Sequence, residues 1–593
     1  MFDFASNIPQ DFSNFIEKSD LLWDASDEEK DSIICQICSD IQQGNLKLSS
    51  IIELIDKICL YRPKKIRIYT DICQALLQNL TGNNKIQKLY FNSSRLRSAL
   101  VYKKLIPNKY GIKFENNAIE NIFEFYEKGS VQHALLWDDL DELQTIYSNP
   151  MFDTNTNVDG SSLIAKSAKF GSVNCFKFLF MNSGSIDKKA LHHAFIGNNY
   201  EIIHICERQL KVDSKCLENS ILSHHTETSY YLKQKYNVDY SWKTSLSTYN
   251  YRFFFEKLFQ QKSVDERDFN GETALIASSS LKRFNVCEYL LKNKSNINTM
   301  DRSGFSALLN AAIEDNVESL QFPLKNNANI EMRDENQRTP LMIASQLSNL
   351  KVMELLIKNN ADIEAIDKQR YSALMYAVRW DQTPAVKLLL DNGANINAKS
   401  TLGETPLYIS VAAKNYEMTL FLLQYNPDIE IQNYLGFTPL MKCAFDDSLE
   451  IARLLVLHNA DVSARDSAGY TPLIIASYNN SINVAQLLIE NDVDVNQSSD
   501  SGLTPLMIAS QRSSMNVAKM LIKLGADINK VSKEGNTALM EAISCGNYAM
   551  AKYLLRKGAN ASIINKSSLL ALDFAVNTGR RLLIELVAEY INQ

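Results

Sequence analysis

Thr339-Pro340-Leu341-Met342-Ile343-Ala344 recurs letter for letter as Thr504-Pro505-Leu506-Met507-Ile508-Ala509, 165 residues on, which is five times 33. Working outward, the same beat holds ten times without insertion or deletion. Thr or Ser stands at 273, 306, 339, 372, 405, 438, 471, 504 and 537, with Leu570 in the tenth place. A leucine follows two residues later each time, from Leu275 to Leu572. Five residues after the first position the side chain is always small, as in Ser278, Ala311, Cys443 and Ala575. A fixed period of this length is the mark of a stacked solenoid, which grows in one dimension and offers a long surface.

Each recurring letter has a physical reason. The hydroxyl at the first position suits a helix N-cap, where it accepts a backbone N–H that the first turn leaves unpaired. Pro at 340, 406, 439, 472 and 505 suits the first helical position, whose N–H has no helical partner. Nine residues after the cap stand mostly turn formers (Asp315, Ser348, Asp381, Asp447, Asn480, Gly546), so the first helix ends there. A second helix carries apolar pairs such as Leu355-Leu356 and Leu487-Leu488. It stops at Asn327, Asn360, Gly393, Asn426, Asn459, Gly525 or Gly558, residues that tolerate a left-handed C-cap. The segment after that stop is read as an extended finger between units.

Helix, turn, helix and finger at 33 residues resembles the ankyrin repeat, whose signature is T-P-L-H-x-A. The resemblance implies an all-α ankyrin-repeat solenoid. The fourth letter departs from the family: none of the ten units has histidine there, and five have methionine (342, 375, 441, 507, 540). In the family that histidine usually ties neighbouring units by hydrogen bonds; flexible apolar packing is expected here in its place. One unit is odd. Pro323 stands where every other complete unit has an apolar residue in its second helix, so a local bend or a weakly folded unit is expected near 317–326.

Three segments are expected: a helical N-terminal domain (1–128), degenerate ankyrin-like helical repeats (129–267), and ten ankyrin repeats (268–593), the last a C-terminal cap. In the middle segment Ala190-Leu191-His192-His193-Ala194 mimics the Leu-His-x-Ala core, and Cys216 to Ser220 takes the matching place in the next unit, at a spacing of roughly 26–29 residues. Arg252-Phe253-Phe254-Phe255 is dense enough in apolar residues to cover the open face of the first regular repeat. In the first segment Ile51, Ile52, Leu54, Ile55 and Ile58 have helical spacing. Charge is split there. Residues 1–56 hold three basic and twelve acidic residues; residues 57–113 hold thirteen basic residues and Asp71 alone. Either the two halves fold against each other, or 57–113 presents a basic face to an acidic partner, an anionic lipid or RNA. Tyr61-Arg62-Pro63-Lys64-Lys65-Ile66, with Ala190 to Leu232, is similar to a large group of protozoan ankyrin-repeat proteins with a helical N-terminal region of unassigned function.

Composition narrows the function. A net charge of −6 gives no global pull toward nucleic acid. No apolar run reaches the ~18 residues of a membrane helix, and Met1 to Lys18 lacks the basic start of a secretory signal. The ten cysteines are scattered, Cys35-Gln36-Ile37-Cys38 has no second CxxC, and reduced thiols in a cytoplasmic protein are expected. Five of the seven histidines lie between 192 and 225 near Cys206 and Cys216; inter-unit hydrogen bonding is preferred over a metal site. There is no P-loop, HExxH or GxSxG elbow, so no enzyme, cofactor or metal is expected. The chain reads as a scaffold or adaptor for protein partners, with regulation of an enzyme or binding through 57–113 as the alternative. By the resemblance, a partner docks on the concave face of fingertips and first helices. The aromatic and arginine residues there are Tyr371, Arg379, Trp380, Tyr434, Phe437, Phe445, Tyr470, Tyr478 and Arg512.

Overall fold

The computed structural model describes residues 8–81, 94–102, 126, 128–149, 157–158, 160–183 and 185–591. Lys103 and Lys104 of the basic segment lie outside these residues. The described chain is almost wholly helical, with one two-stranded hairpin, Asn157–Val158 against Ser161–Ser162. It forms two compact units, Met1–Arg302 and Ser303–Gln593.

The second unit holds nine of the 33-residue repeats, and its local structure follows the sequence letter by letter. From Ser306 to Thr537 each Thr or Ser hydroxyl accepts the backbone N–H three residues on, at 3.2–3.4 Å. Leu570 has no hydroxyl; there the Asp573 carboxylate accepts the Leu570 N–H at 2.7 Å instead. The residue nine after the cap is left-handed in every unit, with φ from +48° at Asp315 to +73° at Gly546. Lys414 (φ +56°) obeys this rule although lysine is no turn former. The position is therefore imposed by two helices that must meet at a fixed angle, and only favoured by residue type. First helices pack on first helices of the next unit and second on second, and the leucines, small residues and methionines fuse into one core.

All five methionines at the histidine position are buried, which agrees with apolar packing. Hydrogen bonds tie units together at the turns, as where the Asn349 and Asn547 amides donate to Ala312 O and Ser510 O, and above all at the fingers. Side-chain oxygens of Glu331, Glu364, Asn397, Glu430, Asn496 and Asn529 each accept a backbone N–H 31 residues on, at 2.8–3.0 Å. Fingertips also pair backbone to backbone, as where Tyr434 N–H donates to Leu402 O at 2.8 Å. Gly436 sits at such a tip with φ +80°, and a Cβ there would lie 2.5 Å from Ser467 N; glycine is required for the approach. The helix Val317–Lys325 runs through Pro323, which is buried in place of the usual leucine. Proline falls in the last turn of a continuous helix, where the hydrogen bond to Ser319 O is forfeited.

In the first unit the irregular repeats keep the same caps at closer spacing. Ser162, Asp187, Asp213 and Ser241 each accept an N–H of the first helical turn. They stand 25, 26 and 28 residues apart by subtraction, so the finger is shortened while the helix pair survives. Gly197 permits this: a methyl group there would lie 2.1 Å from Ala168 O of the preceding unit. Phe253, Phe254 and Phe255 are fully buried. Phe255 meets Tyr289 of the first regular repeat edge-on at 5.3 Å, and Trp242 N–H donates to Asp268 at 2.8 Å. The apolar segment thus covers that repeat's face, as its composition requires.

The N-terminal helices lie along the turns that join the two helices of successive units. Phe12 of helix Gln10–Asp24 packs on Tyr251 and Phe255, at 5.3 and 4.9 Å, and Trp23 stacks on His224 at 4.3 Å. Arg252 pairs with Asp20 at 2.7 Å. The strongest tie is Arg283, in the turn of the first regular repeat. Its guanidinium meets both oxygens of Glu53 at 3.1–3.3 Å, the Tyr249 hydroxyl at 2.7 Å and Leu246 O at 3.1 Å.

Candidate protein-binding surface

The last turn of each first helix projects from the packed layer beside the left-handed residue. Five large apolar side chains stand there in the second unit, all exposed: Ile313, Phe445 and Tyr478 seven residues after their caps, and Leu347 and Trp380 eight after theirs. The unit capped by Thr405 has Ala412 and Ala413 there, and the last three units have Gln511-Arg512, Ser544-Cys545 and Asn577-Thr578. Burying these rings would gain ~25 cal/mol per Å² of apolar area, so leaving them in water is unfavourable unless something covers them.

Among the residues expected at this surface, Trp380 is 53% exposed and Tyr434, at a fingertip beside exposed Leu435, is 79% exposed. Phe445 and Tyr478 are exposed, Arg379 and Arg512 likewise, and Phe437 and Tyr470 are half-buried. The structure joins several of them in pairs. The Arg512 guanidinium lies 3.9 Å over the Tyr478 ring of the preceding unit, and Phe437 touches Phe445 at 6.4 Å between centroids. Such stacking fixes long side chains before any partner arrives, which lowers the entropy cost of docking.

Tyr371 is a correction. It is 6% exposed, its ring packs on Tyr376 at 5.8 Å, and its hydroxyl bridges Arg379 and Glu404 at 3.2 and 3.3 Å. Burial first, and then the Glu404 charge, push its phenol above the usual range. The ring is turned inward, and its hydroxyl anchors Arg379. Exposed Ile313 and Leu347 escaped sequence reasoning, because aliphatic residues in a repeat look like core; Leu347 shares with Trp380 the position eight residues after the cap.

The histidine cluster stitches units. His193 meets Ala165 O of the preceding unit at 3.0 Å, and His192 meets the Asp213 carboxylate of the following one at 3.0 Å. The next pair repeats the device: His225 reaches back to Ile196 O at 3.0 Å and His224 forward to Thr248 O at 2.9 Å. Among the described residues one group has metal-ligand proximity, His192, Asp213 and Cys216, with donor atoms within 4.8 Å of one another. Asp213 is already engaged there as N-cap, accepting the Lys215 and Cys216 N–H groups. Burial, first among several influences, pushes the Cys216 thiol up to about 12. All ten cysteines are free thiols, and Cys35 of the CxxC is exposed while Cys38 is buried.

Two helices joined by a left-handed turn, with hydrogen-bonded fingers between units, define a helical-repeat protein. The family model described as ankyrin repeats (3 copies) matches residues 246–334, 308–400, 397–466, 457–532 and 473–566. Together these span 246–566, 321 of 593 residues, and the chain belongs to the ankyrin-repeat family. Residues 181–257 match a domain of unknown function (DUF3447). No curated protein matches the chain. Ankyrin repeats are in general protein–protein interaction modules, and the fold is typically non-enzymatic. No helix among the described residues is long and apolar enough to cross a membrane.

Proposed function

We propose that this chain is a cytoplasmic, non-enzymatic scaffold or adaptor that holds a protein partner on the concave face of its regular repeats. In this reading the segments divide the work: 268–593 grips the partner, 129–267 carries the array's first end, and 1–128 braces that end. The contact residues are Trp380, Tyr434, Phe445, Tyr478, Arg379 and Arg512, framed by Phe437 and Tyr470. The observation that carries the reading is the set of exposed rings in the last turns of first helices, two of them pre-stacked with neighbours. Aromatic and arginine side chains dominate interface energetics, at about 2 kcal/mol or more for each central residue.

The test is affinity capture with mass spectrometry, comparing the intact chain with Trp380→Ala/Phe445→Ala/Tyr478→Ala. The proposal expects the enriched partner to be lost while the melting temperature is unchanged, and capture by the parent to survive moderate salt, since apolar contacts are not screened. Unaltered capture by the triple variant, or a large drop in its melting temperature, would show that the rings are structural.

A further inference from the structure

Three positions of the 33-residue repeat are sealed wherever another repeat follows. From the repeat capped by Ser306 to the one capped by Thr537, the leucine two residues after the cap is at most 1% exposed. The residue six after the cap, from Ala312 to Ile543, is at most 2% exposed. The residue fourteen after it, on the second helix from Leu320 to Ala551, is fully buried. In the tenth repeat the same positions are Leu572, Val576 and Ile584. Val576 is 55% exposed, and Leu572 and Ile584 are half-buried. No further repeat packs there among the described residues, so these side chains mark the trailing face, the one turned toward the next repeat.

That face has kept its apolar residues. A terminal repeat held soluble by a polar outer surface would carry charge on it. The tenth repeat has spent its one polar change elsewhere: Asp573 replaces a buried apolar residue, and its carboxylate accepts the Leu570 N–H at 2.7 Å in place of the missing cap hydroxyl. The start of the helix is therefore specialised and its trailing side is not.

The surface that covers this face everywhere else in the array is another pair of repeat helices. A second copy of the chain can supply one. The leading face of its first regular repeat is covered by Phe253, Phe254 and Phe255, which removes that face as a mate. Its own trailing face is open. The charges of the tenth repeat suit such a meeting: Lys566, Arg580 and Arg581 balance Asp573, Glu585 and Glu589. Two such ends approach without net repulsion, although the whole chain carries −6.

We propose that the trailing face of the tenth repeat is a self-association surface, on which Leu572, Val576 and Ile584 of one chain meet the same patch of a second copy about a two-fold axis. The patch is separate from the exposed rings of the partner surface. In the scaffold reading, a dimer joined there carries that surface twice and holds a bivalent partner by avidity.

The test is sedimentation equilibrium of the full chain from about 1 to 200 µM, the range over which a small interface dissociates. The weight-average mass should rise from one chain toward two and go no higher, because a two-fold contact closes on itself. Val576→Glu sets like charges against each other in the contact and should weaken association by more than about 100-fold. Its melting temperature should hold, since the valine is exposed in the single chain. Should the glutamate disturb folding, Val576→Ser should still weaken association about tenfold, through the apolar area lost from both copies. Leu457→Glu, which removes an exposed leucine far along the array, should change nothing. Amides of helix Arg581–Ile591 should exchange more slowly as concentration rises. A single chain at every concentration, a mass that climbs past two chains, or association that both Val576 variants leave intact overturns the surface.

Discussion

Replacing Glu53 by glutamine should loosen the N-terminal helices from the repeats while leaving the second unit untouched. The Arg283 side chain is 4% exposed and Glu53 supplies its only carboxylate among the described residues, through three contacts at 3.1–3.3 Å. Breaking a fully buried pair from one side costs about 3–5 kcal/mol, because a charge is left without compensation. The Glu53 side chain is 42% exposed, so water screens part of the pair, and about 2–3 kcal/mol is the reasonable loss. In native-state hydrogen exchange that is a rise of about 30- to 150-fold for amides of helix Leu48–Tyr61. Amides of Ser303–Gln593 should not change. Arg283→Met added to Glu53→Gln should restore much of the protection, since the stranded charge is then gone. Exchange within about threefold of the parent would mean that Phe12, Phe15 and Trp23 hold the helices unaided and that the ion pair is incidental.

Acid should act on the first unit before the second. Burial lowers His224 to about 3 and His193 and His225 to about 4. Their folded values lie below the unfolded value near 6.5, so the neutral rings contribute full stability above that pH and lose it as pH falls toward 4. Each adds a slope of up to about 1.4 kcal/mol per pH unit, and melts between pH 7 and 4.5 should show unit one failing first; parallel loss in both units would contradict this. Pro323→Leu should stabilise helix Val317–Lys325 by about 1–3 kcal/mol, by restoring a hydrogen bond and the leucine packing of its neighbours. Slower exchange confined to 317–326 would be the sign, and unchanged exchange would show the proline already fully accommodated. Purified without chelator, the protein should carry less than stoichiometric zinc, because Asp213 is occupied as cap and histidine partner; one zinc per chain, lost in Cys216→Ser, would show His192, Asp213 and Cys216 to be ligands.

Much of the fold was legible because a repeat averages its own signal. One Thr-Pro-Leu is a weak hint, whereas ten in phase leave a single architecture in which caps, leucines and turns all find their places. The same logic failed at Leu570, where the Asp573 carboxylate stands in for the missing hydroxyl. The exposed surface was legible only in part. Trp380, Tyr434, Phe445 and Tyr478 are exposed as expected, but Tyr371 turns inward, and exposed Ile313 and Leu347 were hidden among core aliphatics. Spacing along the chain states which face of a helix a residue occupies. It does not state whether the adjacent finger covers that face.

By itself, the sequence determined the period, the helix pairs, the methionine-filled core and the absence of histidine ties in the regular array, because these depend on contacts within a unit or between identical neighbours. Tertiary structure alone decided where residues 8–81 lie and how Arg283 meets Glu53 across 230 positions. Those contacts link segments with no shared repeat. No periodic signal can announce them, and they form only when the turns of successive units line up into an edge on which another set of helices can pack.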